Sequence, residues 1–216
     1  MAPKAATLVQ DAISAVTGVG AIVGLTQTDV KRLLAYSSIA HAGFLLVGLI
    51  SLDQAGLSGT LVYLVTYGFT TIGAFAVVTL VRDADGEATH LSQWSGLARR
   101  SPLLAAVFTL FLLALAGIPL TSGFTGKFVI FRAGYGVAAP LVVIALIASA
   151  IAAFFYLRIV VLMYFSDPAP DGPTVAVPSA MTVLALAIGA AVTVLLGVYP
   201  QFLLDLADKA SLFASG

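Results

Sequence analysis

Charged residues fall in a few narrow positions along the chain and leave long apolar stretches between them. The uncharged intervals are 12–28, 33–52, 54–81, 101–126, 133–157 and 172–204. A helix needs roughly 20 apolar residues to cross a hydrocarbon layer of about 30 Å. Five intervals meet that length, and the first, at 17 residues, reaches the lower limit. Uninterrupted apolar runs such as Leu141 to Ala153 lack the alternation of barrel strands. The pattern predicts an all-α integral membrane protein of about six spans in a single membrane domain covering 1–216. The expected helices are 12–28, 33–52, 57–81, 102–133 with a break near 117–126, 137–165 and 174–204. A secretory signal is the rival reading of residues 1–25; Asp11, Gly18 and Gly20 interrupt the apolar core such a signal needs.

Composition narrows the function. The chain is 60% hydrophobic and 9% charged, against roughly 25% charged in ordinary globular domains. Ten basic side chains balance ten acidic ones, so no excess charge points to nucleic acid. Cysteine is absent, which removes thiolate metal sites, disulfides and cysteine nucleophiles; asparagine is absent too. The glycines at 18, 20 and 24 have the wrong spacing for a dinucleotide fingerprint.

Basic residues in short loops set orientation. Lys31, Arg32, Arg82, Arg99 and Arg100 lie in the loops after odd-numbered helices, whereas Asp53 lies after the second. That bias predicts cytoplasmic odd loops and both termini outside. The segment 82–100, with Asp83, Asp85, Glu87 and His90, reads as a solvated loop, a metal site being the alternative.

Three basic residues lie in or beside the apolar runs: His41, Lys127 and Arg158. An ionisable group at membrane depth is costly and marks function by default. His41 shares a helix face with Ser37, beside Tyr36 and Ser38; it reads either as a buried hydrogen-bonded histidine or as a proton relay. Tyr63, Thr66, Tyr67 and Thr70 form a helical stripe suited to interhelical packing, or to water beside a proton path. Lys127 follows Gly117-Ile118-Pro119-Leu120-Thr121-Ser122-Gly123-Phe124-Thr125-Gly126, whose proline and glycines favour two half-helices meeting inside the membrane. Apolar residues continue beyond Lys127, which favours a functional lysine over one that snorkels to headgroups. Arg132 and Arg158 read as boundary anchors. Pro200 bends or ends the last span, and 201–213 has the composition of an interfacial helix.

Two segments carry a resemblance. Gln27-Thr28-Asp29-Val30-Lys31-Arg32-Leu33-Leu34-Ala35-Tyr36-Ser37-Ser38-Ile39-Ala40-His41-Ala42-Gly43 and Leu115-Ala116-Gly117-Ile118-Pro119-Leu120-Thr121-Ser122-Gly123-Phe124-Thr125-Gly126-Lys127-Phe128 resemble the signatures of the antiporter-like, proton-translocating membrane subunits of respiratory complex I. Mrp antiporters and membrane-bound hydrogenase subunits share the general pattern. The resemblance implies inverted five-helix repeats with a broken fourth helix. Helices one to five look like the second repeat, the C-terminal portion of such a subunit, with helix six as a terminal helix. It also implies that Lys127 is the lysine of the broken helix, that His41 belongs to the central hydrophilic axis, and that Lys31 is the basic residue opening the histidine's helix. The family's embedded glutamate has no counterpart among these residues. The implied function is proton translocation in an NADH–quinone oxidoreductase of the bacterial inner membrane. In that setting no cofactor is bound by this chain, NADH and quinone are used by the assembly, and the partners are other complex I membrane subunits and the bilayer. A cation/proton antiporter subunit and a non-transporting assembly fragment are the alternatives. A sodium antiporter needs intramembrane carboxylates, and the apolar runs contain none.

Overall fold

The computed structural model describes residues 3–168 and 172–215. It is helical nearly throughout: α1 Pro3–Thr26, α2 Val30–Leu49, α3 Gln54–Leu80, the short α4 Leu97–Arg100, α5 Pro102–Ala116, α6 Ser122–Phe165, α7 Ala180–Val198 and α8 Gln201–Ser215. Five helices are long and apolar enough to cross a membrane, and α5 is a shorter apolar helix.

α6 carries two spans. A continuous 44-residue helix would be about 66 Å long, twice the hydrocarbon thickness. The helix is instead interrupted at Ala138, whose φ of −144° and ψ of 61° are non-helical, two residues before Pro140. Lys127 and Ser149 would lie about 33 Å apart on a straight helix, yet Lys127 Nζ is 2.8 Å from Ser149 Oγ. The chain therefore turns back on itself. Residues 122–137 continue the fourth span begun by α5, and 139–165 form the fifth.

Several expected boundaries move. The first helix begins at Pro3 rather than 12, because Lys4 and Asp11 extend it without interrupting it. The break expected over 117–126 contracts to 117–121, since Gly123 and Gly126 are used for packing inside α6. The last span, expected from 174, starts at Ala180, Thr174 and Val175 being a strand. It ends at Val198, before Pro200. α8 then packs along α3, Leu203 and Ala207 against Val62, and the Ser58 hydroxyl donates to Asp208.

The segment 82–100 is more ordered than a solvated loop. Strand β1 (Val81–Asp83) pairs antiparallel with β2 (Gly86–Glu87) and with β3 (Thr174–Val175), giving the order β2-β1-β3. Leu91, Trp94 and Leu97 are buried, and Trp94 Nε1 donates to Ala88 O at 2.9 Å. Among the described residues no group of His, Cys, Asp or Glu is arranged to hold a metal ion. The pairing brings the loop after α3 beside the segment after the fifth span, and a backbone bridge between Asp29 and His90 adds the loop after α1. These three loops thus share one face. On the other face, Asp53 caps α3. The Gly56 amide and the Ser51 hydroxyl both donate to it and hold its carboxyl below the usual aspartate range.

In hydrocarbon the apolar surfaces of helices gain little by meeting, so small residues that allow close backbone approach decide the packing. A Cβ added to Gly123 would stand 1.8 Å from the carbonyl oxygen of Ala114, and one on Gly126 would stand 2.5 Å from Thr66 Oγ1. Gly123→Val should lower stability by roughly 2 kcal/mol or more. Gly68→Ala, whose added Cβ meets nothing within 4 Å, should leave stability unchanged or raise it by up to about 1 kcal/mol. Thermal unfolding of both variants in the same detergent checks the pair.

Candidate functional site

α5 stops because of three adjacent residues. Gly117 takes the left-handed conformation, with φ of 86°, and its amide bonds back to Leu113 O and Ala114 O. Ile118 N also reaches Leu113 O, at 3.0 Å, completing a glycine-terminated helix end. Pro119 has no N–H, so the carbonyl of Leu115, which a continuing helix would pair with residue 119, loses its donor. Leu120 sits at φ of 70°, a strained conformation for a residue with a side chain. Thr121 Oγ1 donates to Ile118 O at 2.7 Å, and α6 begins at Ser122.

Lys127 repairs this broken end. Its Nζ donates to Leu115 O at 2.8 Å, to Ala116 O at 3.0 Å and to Ser149 Oγ at 2.8 Å. An ammonium has three N–H bonds, and all three are used. The side chain is 5% exposed. The negative end of the α5 dipole lies beneath the charge, and the Phe44 ring centroid is 5.3 Å away. No carboxylate pairs with it among the described residues.

His41 is buried in the middle of α2. Its Nδ1 lies 2.5 Å from the Tyr63 hydroxyl and its Nε2 3.3 Å from the Tyr156 hydroxyl, which in turn bonds to Ser37 Oγ. Tyr67 stacks on the imidazole with centroids 4.5 Å apart. A tyrosine–histidine–tyrosine–serine chain therefore links α2, α3 and the fifth span. Between it and Lys127 is a cavity of about 10 Å³, lined by His41, Tyr63, Tyr67, Thr70 and Lys127 among others. That is room for about one water. Below it, the Thr70 hydroxyl lies 3.5 Å from Ser122 Oγ and 3.4 Å from Thr193 Oγ1. The ammonium and the imidazole line the same small cavity, but every ammonium N–H and both ring nitrogens are already engaged, so passing a proton across it requires one of these contacts to open.

The structure brings His41, Lys127, Tyr63, Tyr67 and Thr70 together. Lys31 lies elsewhere. It opens α2 on the strand-bearing face, about 15 Å along the helix from His41, and pairs with Glu87. Arg132 and Arg158 are exposed. Reading of the sequence missed Ser149 and Tyr156. They are two of only three hydroxyl residues in the interval 133–157, seven apart and hence on one helix face, which was the available signal.

Comparison with known proteins places this geometry in context. Residues 3–152 match the family described as NADH:quinone oxidoreductase/Mrp antiporter, TM. The chain is 65% identical over 195 residues to NADH-quinone oxidoreductase subunit N 3 of Streptomyces griseus, covering 90% of this chain and 35% of that protein. It thus spans about a third of the length of that relative. A chain of respiratory complex I from Thermus thermophilus with bound aureothin superposes with a TM-score of 0.79 at 30% identity, over 92% of this chain and 45% of that one. A chain of the Mrp complex from Dietzia sp. DQ12-45-1b shares the fold, with a TM-score of 0.82 at 22% identity over 95% of this chain and 46% of that one. With its broken fourth span, its buried lysine and a family match over most of its length, the chain belongs to the NADH:quinone oxidoreductase/Mrp antiporter transmembrane family.

Proposed function

We propose that this chain is part of a proton-translocating membrane subunit of an NADH–quinone oxidoreductase in a bacterial inner membrane. The observation that carries the reading is the buried Lys127 ammonium on the orphaned carbonyls of a broken helix, lining a small cavity that His41 also lines. The identity to a protein named NADH-quinone oxidoreductase subunit N favours this assembly over an Mrp antiporter, whose likeness extends to the fold. NADH oxidation and quinone reduction take place in other subunits, and this chain contributes proton transfer through Lys127 and His41. Its partners are the other membrane subunits of that assembly and the lipid around them.

In this role Lys127 has to exchange a proton while staying in place. Lys127→Ala in the intact assembly should lower proton pumping by roughly a hundredfold or more, the scale of a lost acid–base group. Lys127→Arg should impair it comparably, because a guanidinium does not release its proton at usable pH. Acidification measured in proteoliposomes checks both variants, and normal pumping by either would reduce Lys127 to a structural cap.

The shared face of the loops after the first, third and fifth spans carries Lys31, Arg32, Arg82, Arg99 and Arg100. By the basic-loop bias we place it in the cytoplasm, with residue 53 outside. Single cysteines at Asp53 and Gly86 should react with a membrane-impermeant thiol reagent from opposite sides, that at 53 from outside; labelling of both from one side would overturn the orientation.

A further inference from the structure

Lys127 stands in the wall between two spaces. On one side is the small cavity of about 10 Å³ that His41 also lines. On the other is a larger crevice of about 400 Å³, lined by Ser149, Gly117, Phe128, Arg132, Tyr135 and Leu146 among others. Ser149 lines the crevice and is not among the residues lining the small cavity. We propose that Ser149 is a positioning residue, a latch that holds the Lys127 ammonium on the crevice side and keeps it from donating toward His41.

The argument is one of donor accounting. Two of the three ammonium N–H bonds are committed to Leu115 O and Ala116 O, backbone acceptors fixed by the end of α5. Neither has a helical donor to replace the ammonium, so releasing either would leave a buried carbonyl unpaired. The third N–H goes to Ser149 Oγ. A hydroxyl rotates about its Cβ and accepts or donates with equal ease, so this is the contact that can open at least cost. While it is made, no N–H remains for a water in the small cavity, and the link to His41 is interrupted. When it opens, one N–H becomes free for that water. Ser149 shares its helix face with Tyr156, whose hydroxyl reaches His41 and Ser37, so the fifth span presents one hydroxyl to each basic group. A small shift of that span alters both contacts together.

The contact is inferred from geometry; its gating consequence rests on the proton-transfer reading above. The chain has four lysines, Lys4, Lys31, Lys127 and Lys209, so lysine-selective ¹⁵N labelling in lipid nanodiscs yields few ammonium signals. Lys127 is identified by the signal that Lys127→Ala removes. Ser149→Ala should speed hydrogen exchange of the Lys127 ammonium by at least about tenfold, the scale of a lost hydrogen bond to a charged group. Ser149→Thr, which keeps the hydroxyl, should restore slow exchange, and unchanged signals from the other three lysines would show an intact fold. If the alanine variant unfolds, Ser149→Cys, close in size but a poor hydrogen-bonding partner, takes its place. Exchange unchanged on loss of the hydroxyl would overturn the latch. In the intact assembly Ser149→Ala should change the pumping rate at least about threefold, with recovery in Ser149→Thr; faster exchange with unaltered pumping would overturn the gating role. Normal pumping by Lys127→Ala would instead sink the functional reading while leaving the exchange result to decide the contact.

Discussion

The structure depends on one charge–dipole contact: the Lys127 ammonium seated on the open carbonyl end of α5. Each partner is unfavourable alone. A buried ammonium without acceptors costs several kcal/mol, and two buried carbonyls without donors cost about 1–3 kcal/mol each. Together they cancel most of that cost. Hydrogen bonds to a charged group contribute about 1.5–3 kcal/mol each, and the third, donated to Ser149 Oγ, completes the ammonium's coordination. The break in the fourth span and the buried lysine therefore have to be understood as a single feature. Pro119 and Gly117 open the acceptors, and the helix that restarts at Ser122 brings Lys127 back over them within two turns.

That return requires unusually close packing. Gly123 lies against the Ala114 carbonyl, and Gly126 against Tyr63 and Thr66. The same approach places α3's tyrosines beside the broken helix, so one pair of glycines both seats the lysine and brings it near the tyrosines that bond and stack on His41. The reversal at Ala138 then returns the chain as the fifth span, which contributes Ser149 and Tyr156 from its inner face. On the strand-bearing face, β1, β2 and β3 with the Asp29–His90 bridge tie three loops together. The Arg100 guanidinium, which donates to Pro173 O, adds to that tie. This end of the bundle is anchored by backbone pairing, whereas the site lies among side-chain hydroxyls that can rotate.

Much of this was legible in the order of residues, for a definite reason. Membrane-spanning helices satisfy their own backbone, so the number and type of spans follow from apolar run length alone. Pro119 with its neighbouring glycines signals a broken helix because the lost N–H is a local property of the chain. His41 and Lys127 stand out because ionisable groups in apolar runs are rare. The features that escaped were non-local or depended on length beyond the membrane. Charged residues at the start of α1 extend the helix without forming a boundary. The 82–100 segment becomes ordered by pairing with residues 174 and 175, which no local pattern announces.

The sequence by itself determined an all-helical membrane chain, a discontinuity ahead of Lys127, and two basic groups needing partners, because hydropathy, proline chemistry and charge burial act within a few residues. Only the tertiary structure decided what those groups touch. It set Lys127 on the α5 carbonyls and Ser149, joined His41 to Tyr63 and Tyr156, left a small cavity lined by both basic groups, and placed Lys31 at the strand-bearing face beside Glu87. Hydroxyl partners such as Ser149 carry no hydropathic penalty large enough to mark them in an apolar run. Their role exists only once the turn at Ala138 folds one helix against another.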